Sequence, residues 1–163
     1  MATTVADILE SHRTGRAILM GVLNVTPDSF SDGGRYVGPA AAVEQARRLV
    51  DAGADVIDVG AESTRPGSGR VSAAEQLERL REVVPGVVDR APVVSIDTTR
   101  AEVAAFALDA GADIVNDVSA GRDDPALLPL AAERGAAVVL MHMLGEPKSM
   151  QRDPRYADVV AEV

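Results

Sequence analysis

The sequence predicts an α/β protein with a parallel sheet, because short apolar segments alternate with helical segments along most of the chain. Three copies of one unit support this prediction. The segment at 51–57 matches the segment at 109–115, and 133–139 is a weaker third copy. Each copy is typical of a helix end, a glycine turn and the start of the next strand. Either a doubly wound sheet or a (β/α)8 TIM barrel would produce this pattern.

The predicted elements follow one another in a regular order. The first strand lies within Ala17–Val25, an apolar run broken only by Asn24, which suits a strand buried on both faces. The remaining strands are predicted at 55–60, 93–97, 113–118 and 136–141. The helices are predicted at 40–51, at 72–84 with a further turn past Pro85, at 101–110, at 125–134 and at 156–163.

One boundary divides the chain into two parts. Residues 1–16 lack an apolar signal core, so we expect a loose lead-in there and a barrel domain over 17–163. A complete barrel takes ~250 residues. The chain has 163, so we expect it to cover about the first five strands and four helices of the barrel, with the domain incomplete at its C-terminus.

Composition excludes several classes of site and partner. The chain has no cysteine, which excludes disulfides and thiol-ligated metals. Its formal net charge of −9 argues against a nucleic-acid partner, since no basic excess exists to neutralise phosphates. No apolar run approaches the length of a membrane span. We therefore expect a soluble cytoplasmic protein without a membrane partner.

Polar side chains end each predicted strand. They include Asn24, Asp97, Asn116 and His142. No G-x-G-x-x-G segment follows a strand and no Walker loop is present, which weakens a nucleotide-binding interpretation. Several strands that deliver polar groups to one end are typical of a barrel active site.

Each candidate also has a purely structural interpretation. Asp97 either contacts a ligand rich in N–H groups or caps the following helix at Arg100 or Ala101. Asn116 either reads the edge of a heterocycle or holds a loop. Thr64 and Arg65 either bind a phosphate or are solvated in a loop rich in proline and glycine.

His142 and His12 are weaker candidates. His142 occupies a position where a catalytic imidazole could lie, but no carboxylate partner is evident, so we expect no catalytic role. His12 lies in the lead-in and is assigned no role.

Five motifs in order carry a resemblance to a known family. They are the segment MGVLNVTPDSFSDGG at 20–34, AESTRPG at 61–67, SIDT at 95–98, VNDVS at 115–119, and LMHM at 140–143 with Met150 and Gln151. The chain resembles bacterial dihydropteroate synthase, a pterin-binding family, from about Ile18 onward. Ala61 departs from the family, which more often has a second glycine there, and we expect only a stiffer loop.

The resemblance implies a barrel enzyme that joins 4-aminobenzoate to 6-hydroxymethyl-7,8-dihydropterin pyrophosphate, giving 7,8-dihydropteroate and pyrophosphate. It implies a homodimeric transferase of folate biosynthesis that sulfonamides target. By the same resemblance, Asn24 would hold Mg²⁺ and Asp97 would bind the pterin and stabilise its positive charge. Thr64, Asn116, Val118 and Met141 would also contact the pterin substrate, and Phe30 and Pro66 would enclose the aminobenzoate.

The family also has a later Asp-Pro-Gly segment, a Ser-Arg-Lys-type segment and an Arg-x-His motif, none of which occurs before Val163. We therefore expect this chain to be inactive alone, which a turnover assay on the 163-residue chain would test. Two other interpretations remain open. One is a methyltetrahydrofolate-type methyltransferase domain with a similar pterin site, and the other is a truncated product that binds pterin without turnover.

Overall fold

Five parallel strands form one sheet in the computed structural model, which describes residues 4–26, 38–62, 71–145, 150 and 153–163. The strands are β1 (Met20–Asn24), β2 (Val56–Gly60), β3 (Val94–Asp97), β4 (Ile114–Asp117) and β5 (Ala137–Leu140). All five coincide with predicted strands; their ends either agree or lie up to three residues inward. The parallel α/β prediction is confirmed.

The order of the strands distinguishes between the two predicted architectures. The strands lie in the sequential order β1-β2-β3-β4-β5, and each pairs in parallel with the next. A doubly wound sheet reverses its strand order at a switch point, whereas a (β/α)8 barrel adds every strand on the same side. The described sheet has the order of a barrel.

Seven helices occur in the part of the chain that the structure describes. They are α1 (Val5–Arg13), α2 (Pro39–Asp51), α3 (Ala73–Leu80), α4 (Val84–Val88), α5 (Ala101–Asp109), α6 (Leu127–Glu133) and α7 (Val159–Glu162). The helix predicted from 72 to 84 is two helices, with the further turn past Pro85 forming α4. The last predicted helix is restricted to four residues. Among the described residues, no helix is both long and apolar enough to cross a membrane.

Helices cover one face of the sheet and form the main hydrophobic core. A row of aligned strand residues faces this core: Leu23, Val59, Ile96 and Val115. The core consists of valine, leucine, isoleucine and alanine, in keeping with an aromatic content of only 2%. Close packing extends to the contact between α2 and α4, where Gly86 leaves room for Val43.

The N-terminal segment is ordered, so the expected loose lead-in is wrong for residues 4–16. Thr4 and Asp7 form a capping box that starts α1. Ile8 on this helix is 6% exposed and packs in a second cluster with Val56, Val93 and Ile114. Helix α1 therefore closes the end of the sheet at which the strands begin.

The expected burial of the first strand on both faces is also wrong. In β1 the side chain of Leu23 is buried, but Met20 and Val22 are 41% and 61% exposed. They point away from the main core, to the face on which α1 packs against Val56, and that helix leaves both side chains exposed. Strand β5 is the other edge, and its Leu140 is 51% exposed.

Candidate functional site

One row of register partners crosses all five strands near their C-terminal ends, on the face turned away from the main core. The partners in this row are Asn24, Gly60, Asp97, Asn116 and Val139. Register partners in a parallel sheet point to the same face, so these side chains share one surface. The sheet thus brings together three predicted site residues that are far apart in sequence: Asn24, Asp97 and Asn116.

The next row, closer to the strand starts, contributes two further polar side chains. Asp58 on β2 and Ser95 on β3 are register partners and are 4% and 0% exposed. Closer still to the strand starts lie Val56 and Val93, which pack against Ile8 of α1 together with Ile114, the register partner of Ser95. The polar groups therefore form a layer between an apolar floor and the open strand ends.

Asp97 lies at the centre of this layer against a position that has no side chain. A Cβ atom at Gly60 would lie 3.3 Å from Asp97 Oδ2, so glycine makes room for the carboxyl group. Burial raises the pKa of Asp97 to about 7, and the negative charges of Asp58, Glu62 and Asp117 act in the same direction. Near neutral pH the group therefore exchanges its proton readily and attracts a cation.

Asn116 is held from below by Asp58. Its Nδ2 donates a hydrogen bond of 3.0 Å to Asp58 Oδ2, although the two residues lie on β4 and β2. Neither Asp58 Oδ1 nor Ser95 Oγ, both buried, has a hydrogen-bond partner among the described residues. Buried polar atoms of this kind are uncommon and are frequent at functional sites.

A second polar network fixes Glu62 beside the row. Gln76 of α3 is 1% exposed, and its Nε2 donates to Glu62 Oε2 at 3.0 Å and to the Val71 carbonyl at 3.2 Å. The Thr98 hydroxyl donates to Gln76 Oε1 at 3.1 Å. The network therefore links the end of β2 to the residue that follows Asp97.

Asp117 shapes the turn after β4. Its two carboxylate oxygens accept hydrogen bonds from the backbone N–H groups of Ser119 and Gly121, at 2.7 and 2.5 Å. The Met141 N–H donates to the Asp117 carbonyl at 3.2 Å. Val118 and Met141, both half-buried, thus follow neighbouring strands at the same end of the sheet as Asp97.

The structure distinguishes the two interpretations of Asp97 and gives the surroundings of His142. The interpretation of Asp97 as a helix cap is wrong, because the Ala101 N–H donates to Asp124 Oδ2 at 2.8 Å and the Arg100 N–H to Thr98 Oγ1 at 3.2 Å. His142 is exposed, and its Nε2 lies 3.0 Å from the Tyr156 hydroxyl.

Four further predicted residues, Phe30, Thr64, Arg65 and Pro66, lie outside the described residues. One contributor was missed by the sequence analysis, namely Asp58. The available signal was a single acid inside the apolar strand VIDVG, two positions before Gly60 and hence on the same face.

The donors at the strand ends fit a magnesium ion only as a partial ligand set. Among the described residues, no cluster of three or more His, Cys, Asp or Glu side chains could hold a metal. Mg²⁺ commonly keeps several waters and takes one or two protein oxygens plus substrate phosphates. The exposed Asn24 amide at the end of β1 is chemically suited to supply one such oxygen.

Comparison with known proteins gives consistent matches over most of the chain. Residues 20–163 match a family model described as pterin binding enzyme. A dihydropteroate synthase of Mycobacterium leprae is 53% identical over 146 residues, covering 89% of this chain and 51% of that protein.

Two solved dihydropteroate synthases have the same fold. The one from Yersinia pestis, in a sulfonamide drug complex, has a TM-score of 0.80 at 44% identity and is matched over 91% of this chain and 54% of its own. The one from Xanthomonas albilineans, with 4-aminobenzoic acid, has a TM-score of 0.78 at 45% identity, over 90% and 52%. The chain thus spans about half the length of these three proteins.

Proposed function

Because this chain belongs to the pterin-binding enzyme family, we propose that its strand ends carry the pterin site of a dihydropteroate synthase. The enzyme would join 4-aminobenzoate to 6-hydroxymethyl-7,8-dihydropterin pyrophosphate. The observation that carries the proposal is the row of Asp97 and Asn116 above the buried Asp58. A pterin ring is planar and rich in N–H groups, and acids and amide oxygens are suitable acceptors for them.

The reaction requires the site to stabilise positive charge. The C–O bond to pyrophosphate breaks with its electron pair leaving on pyrophosphate, so the pterin methylene becomes cationic. The aminobenzoate nitrogen then forms the new C–N bond and loses a proton. A site that holds Asp58, Glu62 and Asp117 around Asp97 favours that cation over a neutral ground state.

The raised pKa of Asp97 also couples to this charge. A cation in the row favours the ionised carboxylate and so lowers the pKa from about 7, which releases a proton from Asp97 near neutral pH. Electrostatic stabilisation therefore becomes stronger as the transition state develops. Asp97 is the residue that we assign this catalytic role.

We propose the remaining contacts from the family resemblance. When bound, Mg²⁺ would neutralise the leaving pyrophosphate, with Asn24 supplying one oxygen ligand. Val118 and Met141 would form apolar walls of the pterin pocket. Thr64 would contact the pyrophosphate-bearing substrate, while Phe30 and Pro66 would enclose the aminobenzoate. We also propose that the enzyme is cytoplasmic and homodimeric; light scattering on the purified protein would test the dimer, and cell fractionation would test the location.

A turnover assay tests this function. The protein made from its native gene should form dihydropteroate from both substrates with Mg²⁺. Asp97→Asn should lower kcat/KM about 10²- to 10³-fold, since it removes a preorganised charge. Asp109→Asn is a matched control, because Asp109 is exposed at the end of α5 and pairs with Arg134 away from the row.

A sulfonamide competition separates the synthase from a methyltetrahydrofolate-type methyltransferase, because only the synthase has an aminobenzoate site. Inhibition that is competitive with 4-aminobenzoate supports the proposal. Pterin binding without turnover would favour a binding protein. Methyl transfer to a corrinoid protein, without inhibition by sulfonamides, would favour the methyltransferase.

A further inference from the structure

Asp58 is the part of the polar layer whose arrangement calls for an explanation. It is a carboxylate in a five-residue strand whose residues are all buried, and it is 4% exposed. A carboxylate in such surroundings is unfavourable unless its oxygens are well bonded. Asp117 satisfies this rule, since both of its oxygens accept backbone N–H groups. Asp58 does not, because only Oδ2 has a partner among the described residues.

The hydrogen bond between Asp58 and Asn116 spans an intervening strand. The bond to Asn116 joins strands that are not adjacent, because β3 lies between them. In register, Asp58 aligns with Ser95, whereas Asn116 aligns with Asp97 one row further along. Asp58 thus reaches beneath Asp97 to the lower side of Asn116.

This contact determines which end of the Asn116 carboxamide faces the site. A carboxylate only accepts hydrogen bonds, whereas a carboxamide has one donor end and one acceptor end. Asp58 therefore binds the nitrogen end of Asn116. The oxygen Oδ1 and one remaining N–H are left for a ligand.

We propose that Asp58 is a positioning residue that fixes the Asn116 carboxamide with its oxygen toward the ligand, so that the site selects a ring N–H group. The inference rests on the proposed pterin site and adds a determinant of its specificity. An asparagine at position 58 could either accept from or donate to Asn116, so both orientations would become available. A hydrophobic residue there would remove the orienting contact altogether.

A double-mutant cycle measures whether Asp58 acts through Asn116. In the protein made from its native gene, Asp58→Asn should weaken the binding of 6-hydroxymethylpterin about tenfold, as expected for a lost charged hydrogen bond. In an Asn116→Ala background the same substitution should have less than about a twofold effect. Asp55→Asn, at the other end of β2, should leave affinity unchanged. If Asp58→Asn weakens binding by the same factor with and without Asn116, the proposal is overturned.

A charge exchange provides a rescue that a merely structural role would not give. Asn116→Asp alone places two carboxylates against each other and should weaken binding. Combining it with Asp58→Asn restores a donor–acceptor pair with its direction reversed, and a carboxylate oxygen still faces the ligand. The double variant should therefore bind at least about fivefold more tightly than Asn116→Asp alone. No recovery in a folded double variant would contradict the proposal.

A third measurement needs no ligand and so separates this inference from the proposed function. In the NMR spectrum, the Asn116 side-chain amide signal is identified by its loss in Asn116→Ala. One of its protons should be shifted downfield by the charged acceptor, and Asp58→Asn should abolish that shift. If the pterin does not bind to the unmodified protein, the proposed function fails, and this signal still decides whether Asp58 orients Asn116. An unshifted signal would refute the orienting contact.

Discussion

Replacing Asp97 by asparagine should stabilise the protein while lowering the proposed activity. Burial and three neighbouring acids raise the pKa of Asp97 to about 7 from a usual value of 3.8. A shift of this size means that ionising the carboxyl group in the folded state costs about 4 kcal/mol more than in the unfolded chain. Asparagine has nearly the same shape and does not ionise. The folded variant therefore avoids that cost.

The sign of the effect depends on pH in a defined way. Between about pH 4 and pH 7 the folded protein holds a proton on Asp97 that the unfolded chain has lost. Wild-type stability relative to Asp97→Asn therefore falls as pH rises through this window, and the full difference is reached above about pH 7. Below about pH 4 the carboxyl group is protonated in both states and the difference is smallest.

Urea unfolding followed by circular dichroism at a series of pH values would measure this difference. The free energy of unfolding of Asp97→Asn, minus that of the wild type, should rise by about 4 kcal/mol between about pH 4 and pH 8. Asp55 gives a control of opposite sign. The Leu19 backbone N–H and Arg16 hold the pKa of Asp55 below its usual value, so Asp55→Asn should destabilise the protein at neutral pH and less in acid. If the free energy of unfolding that Asp97→Asn gains does not vary with pH, the reasoning is refuted.

Three further substitutions test local packing and the site. Ser72→Ala removes the hydroxyl that caps α3 and should lower the free energy of unfolding by about 1 kcal/mol in urea. Gly86→Ala would place a Cβ 2.7 Å from Val43 and should cost about 1–3 kcal/mol, with Val43→Ala restoring part of the loss. Gly60→Ala would crowd the Asp97 carboxyl at 3.3 Å; it should weaken pterin binding more than it changes the thermal midpoint, and unaltered calorimetric affinity would contradict the crowding.

The sequence was most informative where local chemistry alone determines the structure. The repeated helix ends predict glycine turns, and Gly53 and Gly111 have positive φ angles of 102° and 105°. Such turns are specified within a few residues, so they are readable from a single sequence. The parallel direction of the strands then follows, because a helix between successive strands returns the chain to the end of the sheet where it started. The order of the strands does not follow, since a doubly wound sheet and a barrel share the same local pattern.

The N-terminal helix was missed for a related reason. Thr4 and Asp7 form the capping box at its start, and Ile8 in its first turn is buried. The helix is short, and its stability comes from packing against strands that lie far along the chain. The Thr4–Asp7 capping box is a local signal of the helix start, whereas the burial of Ile8 against those strands cannot be read from this segment.

The exposed side chains of β1 show that burial also cannot be predicted from the sequence of the strand alone. An apolar run predicts that a strand can be buried on both faces, but actual burial depends on which elements reach those faces. In the described chain, the helices of the main core cover one face and α1 covers only the strand starts on the other, so Val22 remains exposed while Leu23 is covered. The hydrophobicity of a strand therefore predicts which surroundings it tolerates, and the elements packed against it determine its actual burial.

The polar layer depends on the alignment of several strands, and the sequence of a single strand does not reveal that alignment. Each strand contributes a different kind of position: an amide at Asn116, an acid at Asp97, an absent side chain at Gly60. The absent side chain is as necessary as the others, since Asp97 occupies the space above it. Asp58 is not predicted as a site residue, because it lies inside an apolar strand, two positions before the strand end. Counting back by two from Gly60 would have placed it on the same face, one row below Asp97.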